Sequence, residues 1–301
     1  TETEKGSKER IIPVGKNAVD SVRNAIRPMH IIRRRFGDNA ILPDIATLFF
    51  VNEFGYAITS KRVSSVLQAS SNAENLYRTY LGKRSELPHD EGYRFALKRL
   101  EKDMKLTPES LIQIRYAFMG CAKGSVRIEC VPHPKYDLAL LHFTTDDEYL
   151  YRHHVTFAAE PPKQGQTVCR LGFPMPEFKN YRMNPETDTI EFTDIGKNGS
   201  SLFALDGMVT RFLSDGERSF GIETTNAGPI GMNGAPLFDA QGHVVGLQAG
   251  IGVMLLGADI KMAAPNREEY VDHGTLHLSV NTHLDVIKDF LHAQNVMFYE
   301  A

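Results

Sequence analysis

From Ile45 onward the chain reads as short apolar runs separated by Gly, Asn and Pro, the pattern of antiparallel strands joined by turns. The runs are Leu48–Val51, Tyr56–Thr59, Val126–Val131, Leu138–Phe143, Val168–Leu171, Thr189–Thr193, Met208–Phe212, Val244–Leu247 and Leu276–Val280. Helical periodicity shows elsewhere. Val19, Val22, Ala25, Ile26 and Met29 form a partly helical pattern over residues 16–33 that ends near Pro28, and Ile31–Phe36 then leads into a first strand. Residues 71–120 break the strand pattern. There Ala73–Leu81 and Glu91–Leu106 read as helices, the second carrying Phe95, Leu97, Leu100 and Met104 among Lys and Arg. Thr107-Pro108-Glu109-Ser110 reads as an N-cap with Pro at the first helical position, which predicts a third helix over Leu111–Met119. Near the C-terminal end Asn281-Thr282 is placed to cap a helix from His283 to Gln294, with Leu284, Ile287, Phe290 and Leu291 on one face.

Four motifs fall in order along this frame. Phe49-Phe50-Val51-Asn52-Glu53-Phe54-Gly55-Tyr56-Ala57-Ile58-Thr59-Ser60-Lys61-Arg62-Val63 is a strand, a turn and a strand. Tyr136-Asp137-Leu138-Ala139-Leu140-Leu141 sets an acid before a buried strand. Arg170-Leu171-Gly172-Phe173-Pro174 is a strand ending in a turn. Ile222-Glu223-Thr224 precedes Gly231-Met232-Asn233-Gly234-Ala235-Pro236-Leu237, which leads through Asp239-Ala240-Gln241-Gly242 to Val244-Val245-Gly246-Leu247. Each motif alone is weakly specific; together, in this order, they resemble the trypsin-like serine proteases, the bacterial Do-like branch especially.

The resemblance implies an all-β fold of the trypsin-like type: a double six-stranded Greek-key β-barrel, with a helical insertion in the first barrel and a C-terminal helix. On this reading residues 1–15 are a charged tail and residues 16–160 the first barrel, including the insertion at 71–120. Residues 161–301 are the second barrel and the closing helix. It further implies that the catalytic histidine, aspartate and serine positions hold Arg62, Asp137 and Asn233, and that Gly231, Met232 and Asn233 form the oxyanion loop. A guanidinium, with an intrinsic pKa above about 12, cannot act as general base near neutral pH, and a carboxamide is no nucleophile. Asn before Gly also suits a tight turn. Asp137 is left either to pair with Arg62 or to stand alone while Arg62 reaches for solvent.

The pocket beside the loop is implied at Thr225, Asn226, Ala227 and Gly228 and, on the strand after it, Gln248, Ala249 and Gly250. None of these is charged, so the pocket is expected to favour small or apolar groups. The Gln248–Ile251 edge can pair with an extended peptide by strand addition. The apolar stretch Gly250–Gly257 is expected to be buried, and Arg33–Arg35 to form a solvated face. Cys121, Cys130 and Cys169 do not fall at the nucleophile position, and no His-Glu-x-x-His or Cys-x-x-Cys spacing suggests a metal or other cofactor. His133 and His142, flanking Asp137 in sequence, are expected in surface or capping roles, and Cys169 in the core.

Composition narrows the function classes. A formal charge of −3 gives no electrostatic pull towards nucleic acid, and no window approaches the roughly 20 apolar residues that span a bilayer. Three cysteines, an odd number, point to a reducing, cytoplasmic setting. Two readings stand. One is a pseudoprotease that binds a protein or peptide partner through its cleft, its helical insertion or both. The other is a trypsin-like endopeptidase, either a substituted variant or one whose catalytic residues lie elsewhere.

Overall fold

The computed structural model describes residues 15–122, 126–145, 152–257, 260–263, 269–272 and 274–301; the expected tail at 1–15 lies almost wholly outside them. Helix α1 (Lys16–Arg23) leads into strands β1 (Ile26–Arg35), β2 (Ile41–Phe50) and β3 (Tyr56–Thr59). Helices α2 (Lys61–Ser85) and α3 (Tyr93–Asp103) follow, and then strands β4 (Leu111–Phe118), β5 (Arg127–Pro132) and β6 (Ala139–Thr144). The six strands form one antiparallel sheet in the order β4-β1-β2-β3-β6-β5. Its two faces feed different cores. Met29, Ile31, Leu48, Phe50, Ala57, Leu141 and Phe143 pack on one side with Val63, Val66 and Ala73 of α2. Ile26, Phe49, Ile58 and Leu140 pack on the other with the second half of the chain. A sheet buried on both faces reads as continuous apolar runs rather than alternation, which is the pattern of Leu48–Val51.

Among the described pairings none joins β4 to β5, so the first sheet is a half-barrel. Helix α2 lies against it. Val63, Val66, Ala73, Tyr77 and Tyr80 recur at helical spacing and are its buried face, and the Ser70 hydroxyl donates to the Ile114 carbonyl of β4 at 2.8 Å. The apolar edge of the sheet is thereby covered by a helix instead of a further strand. Helix α3 sits farther out. Leu97, Leu100 and Met104 pack on Tyr77, Tyr80, Leu106 and Ile112, while Phe95 is 76% exposed, outside the stripe expected of it.

The second half begins with β7 (Thr156–Phe157) and β8 (Thr167–Gly172), then a hairpin of β9 (Tyr181–Asn184) and β10 (Thr189–Phe192). Strands β11 (Phe203–Ser214), β12 (Ser219–Thr224), β13 (Pro236–Phe238) and β14 (Val244–Leu255) follow. A small hairpin of β15 (Ile260–Ala263) and β16 (Glu269–Asp272) precedes β17 (Thr275–His283), helix α4 (Leu284–Ala293) and the short β18 (Tyr299–Glu300). Strands β8, β11, β12, β17 and β14 pair in sequence, and β13 pairs with both β14 and β8, which closes a six-stranded barrel. The architecture is thus mostly β, a closed barrel joined to a half-barrel, as the trypsin-like double barrel requires.

Several local expectations are corrected. The 16–33 helix stops at Arg23, and Pro28 sits inside β1, opposite Thr47 of β2. Leu111–Met119 falls in strand β4, which pairs antiparallel with β1 and buries Ile112, Gln113 and Ile114 on both its faces, and Thr107–Ser110 closes a turn through the Ser110 amide and Thr107 carbonyl at 2.9 Å. The C-terminal helix is capped by His283, whose Nδ1 accepts from the Asp285 amide, while Asn281 is buried in β17 with its amide on the Ile222 carbonyl at 3.0 Å. Ile251, Val253, Leu255 and Leu256 are exposed along the far end of β14 and just beyond it, not buried. Arg34 is buried rather than solvated. Its guanidinium pairs with Asp188, between β9 and β10, at 2.9 Å; the Tyr77 hydroxyl and the Gln113 amide also reach Asp188, so α2, β1 and β4 are tied to the second half at one residue.

His30 of β1 is fully buried, stacks on Phe178 with centroids 4.0 Å apart, and has no partner for either ring nitrogen. Burial pushes its pKa from 6.5 down to about 4. The native state therefore binds fewer protons than the unfolded chain between these values. Stability should be unaffected above pH 6.5, fall as pH drops towards 4, and level off below it. Urea titrations of wild type and His30→Phe across pH 4–7 check this: the variant, which keeps a ring against Phe178, should lose that part of the slope.

Candidate active-site cleft

The cleft is assembled where the two halves meet. Strand β3 ends at Thr59, and Ser60 turns the chain into α2. The first amide of that helix, Lys61 N–H, donates to Asp137 Oδ1 at 2.6 Å. A carboxylate at a helix N-terminus satisfies an otherwise orphaned donor and meets the positive end of the helix dipole. Asp137 is in turn held by Thr282 of β17, whose hydroxyl donates to its backbone carbonyl at 3.0 Å. Burial raises the Asp137 pKa, against the lowering influence of the Lys61 amide bond and ammonium charge.

Arg62 points away from Asp137. Its guanidinium pairs with Asp44 Oδ2 and donates to the Ile45 carbonyl at 3.2 Å, both on β2. Arg33 of β1 reaches the same Asp44 oxygen at 2.7 Å. Neither expected arrangement holds: Arg62 neither pairs with Asp137 nor stands free in solvent, because a nearer carboxylate is available to it. Ser60 lies beside this junction with its hydroxyl buried and unpartnered.

The loop carrying Asn233 approaches from the second barrel. Ile230–Met232 form a single 3₁₀ turn in which the Asn233 amide donates to the Ile230 carbonyl at 3.0 Å and the Met232 amide to the Pro229 carbonyl at 2.9 Å. The Asn233 carbonyl accepts from the Thr47 amide at 3.3 Å, and its side-chain oxygen accepts from Gln248 Nε2 at 3.2 Å. Asn233 has ordinary backbone angles; the left-handed residue is Gly234, with φ +91°. A Cβ there would collide with the Thr47 carbonyl and the Thr59 hydroxyl, so only glycine lets the loop reach the first sheet. Lys61 thus meets Asp137 directly, the Asn233–Gly234 loop reaches the end of β3 through Thr47, Thr59 and Ser60, and the Arg62 side chain is directed to β2.

Of the pocket-like residues Gln248 and Gly228 meet, whereas Ala249 borders a cavity with Asp137 and Thr282, and Thr225 and Asn226 border a second one with Arg211 and Glu223. Gln248, fully buried, lays its carboxamide on Gly228, where a Cβ would collide with it, and donates to the Pro229 carbonyl at 3.1 Å. The charged side chain that residue-by-residue reading missed is Arg170 of β8. Buried to 1%, it donates through Nη2 to the carbonyls of Thr225 (3.2 Å) and Asn226. An arginine between Cys169 and Leu171 in an otherwise apolar run was the only sequence signal. Other candidates have structural roles. His133 Nδ1 accepts the amides of Lys135 and Tyr136, His142 stacks on Tyr56 at 4.0 Å, and burial pushes the Cys121 and Cys169 thiols up to about 12 and 11.

Residues 47–247, from the β2 crossing point to the strand behind the Asn233 loop, match the trypsin-like peptidase domain. The chain belongs to that family. No curated protein matches the chain. Among solved structures the domain is similar to the active form of the Rv3671c protease from M. tuberculosis, at 15% identity and TM-score 0.48, with 99% of this chain and 96% of that chain covered. The inactive form of Rv3671c protease gives 14% identity and TM-score 0.43 over 93% of both chains. The HtrA-type protease AlgW with a decapeptide gives 12% and 0.44, over 92% of this chain and 66% of that one.

The Gly234 contact gives a sharp test. Gly234→Ala adds backbone strain and overpacking and should lower stability by about 3 kcal/mol or more in urea unfolding. Gly250→Ala, whose Cβ meets nothing within 4 Å, should change it by less than about 1 kcal/mol.

Proposed function

We propose that this trypsin-like peptidase domain is a pseudoprotease, a protein-binding module that keeps the protease frame and does not hydrolyse peptides. The observation that supports it most is the Arg62 geometry: the side chain at the histidine position is a guanidinium held on Asp44, while Asp137 serves as the N-terminal cap of α2. Among the described residues no histidine is bonded to Asp137 or Asn233, whose side chains go to the Lys61 amide and to Gln248, so neither is linked to a general base. The amide of Asn233, which would donate to an oxyanion, is bonded to Ile230. Ser60, a hydroxyl in the same cleft, lacks a base to activate it.

On this reading the partner contacts are the cleft and the helical insertion. Helix α3 exposes Phe95 beside Arg94, Lys98 and Lys102, with Arg99 paired to Asp103 at 3.9 Å and Glu91 one turn before it, on a chain of net charge −3. An acidic protein surface suits such a face, with an affinity that falls as salt rises.

Two experiments test the proposal. Casein and peptide esters should remain intact after prolonged incubation with purified protein; turnover that scales with enzyme concentration supports the endopeptidase reading instead. Charge reversal at Lys98, Lys102 and Lys105, compared with wild type in pull-downs from native lysate, should reduce recovery of the partners. Equal recovery would assign the insertion to bracing the half-barrel and move the binding surface to the cleft.

A further inference from the structure

Six exposed large apolar side chains come from one place, the outer end of β14 and β17. Ile251, Val253, Met254 and Leu255 lie on β14, Leu256 follows it, and Leu276 is on β17. The two strands pair from Gly250 and Val280 out to Leu255 and Thr275. Their other neighbours stop earlier: β12 pairs with β17 no farther than Ser279, and β13 with β14 no farther than Leu247. Among the described pairings the outer end is therefore a two-stranded ribbon, an arrangement of marginal stability when nothing packs on it. Val253, Leu255 and Leu256 are 60%, 70% and 59% exposed.

The two faces of the ribbon differ in shape. Directly paired residues share a face, so Ile251, Val253 and Leu255 form a ridge on one side with Ser279, His277 and Thr275. Met254, Leu276 and Leu278 lie on the other side and line a cavity of about 480 Å³ that also meets Thr210, Arg211 and Glu223. Neither Asn233 nor Gln248 lines this cavity. The charges in its wall are already matched. Arg211 Nε and Nη2 each donate to Glu223 at 2.9 Å, and the Thr210 hydroxyl donates to the same carboxylate at 3.1 Å. The ribbon strands, Gln248–Gly257 and Thr275–Asn281, hold no Asp, Glu, Lys or Arg. An apolar ridge and an apolar hollow thus lie side by side on an uncharged patch.

A projection and a hollow on one surface suit a two-fold dimer, in which the same patch must both give and receive the contact. We infer that this patch is an interface between two copies of the chain. The exposed end of each ribbon, Leu255 and Leu256, seats against Met254 and Leu276 at the mouth of the other copy's hollow. An uncharged patch meets its own copy without like-charge repulsion, so charge complementarity favours self-association. A bilayer is a poorer occupant, because residues 258–273, which join the two strands, include Asp259, Lys261, Arg267, Glu268, Glu269 and Asp272. The paired stretch is about 20 Å long and about 10 Å across, well short of the roughly 800 Å² per partner in a standard interface. The dimer is accordingly weak and forms by mass action.

Sedimentation velocity of the full chain between about 1 and 300 µM, the range of a micromolar contact, should show the mass moving from one protomer towards two. Leu255→Lys should keep the Tm and circular dichroism of wild type and raise the dimer dissociation constant at least about tenfold, since it carries a charge into an apolar contact. Met254→Trp, which fills the hollow, should weaken the dimer by a similar factor. Phe95→Ser, which removes an exposed apolar side chain on α3 instead, should leave the dissociation constant within about twofold. A chain that stays monomeric throughout overturns the inference; flotation with phosphatidylcholine vesicles that Leu255→Lys abolishes would then assign the patch to lipid. A dimer that survives Leu255→Lys, or one that Phe95→Ser dissolves, places the interface elsewhere and overturns it as well. If Met254→Trp fails to fold, Leu255→Lys decides alone.

Discussion

Thr47 is the point on which the two halves of the molecule hang. Fully buried on β2, it donates its amide to the Asn233 carbonyl and its hydroxyl to the Gly231 carbonyl at 3.0 Å, while that hydroxyl accepts from the Phe173 amide at 3.0 Å. Its carbonyl accepts from Thr59 at 2.7 Å. One residue of the first sheet therefore anchors the Asn233 loop and the turn after β8, and bonds across to the strand that leads into α2. The glycines around it follow from this crowding: a Cβ at Gly172, Gly231 or Gly234 would press on Thr47, Ile45 or the Phe173 and Pro174 carbonyls. The protease-like loop geometry here is a consequence of how two sheets dock. It needs no catalytic residue to persist.

The side chains at the cleft are held by this frame as well. Asp137 has backbone work to do whatever stands at 62, because α2 begins beside it and needs a cap. Arg62 finds Asp44 rather than Asp137, and Asn233 turns its side chain to Gln248. The helical insertion is part of the same frame: α2 covers the half-barrel where the first sheet does not close, and the Asp188 contacts tie it to the β9–β10 hairpin.

Much of this was legible in the sequence. The strands were, because a sheet buried on both faces imposes apolar runs with sharp Gly, Asn and Pro boundaries, and the motifs carrying Arg62, Asp137 and Asn233 bracketed those strands in order. What misled was local chemistry with two uses. Thr107-Pro108-Glu109-Ser110 suits a helix start and a β-turn equally, and the pairing of the following residues with distant β1 decides between them. Pro28 looked like a helix stop because its place within β1 depends on pairing with distant β2. Arg170 was hidden for another reason. Its meaning lies in contacts with Thr225 and Asn226, some 55 positions away in sequence.

The central claim is that a protease frame is held together here without an activated nucleophile. Incubation with a fluorophosphonate probe, followed by peptide mass spectrometry, addresses it most directly, since the probe bonds only to a hydroxyl made nucleophilic by its surroundings. The account predicts no adduct on any serine, Ser60 included. A stoichiometric adduct on a cleft serine, lost on heat denaturation before labelling, would contradict it.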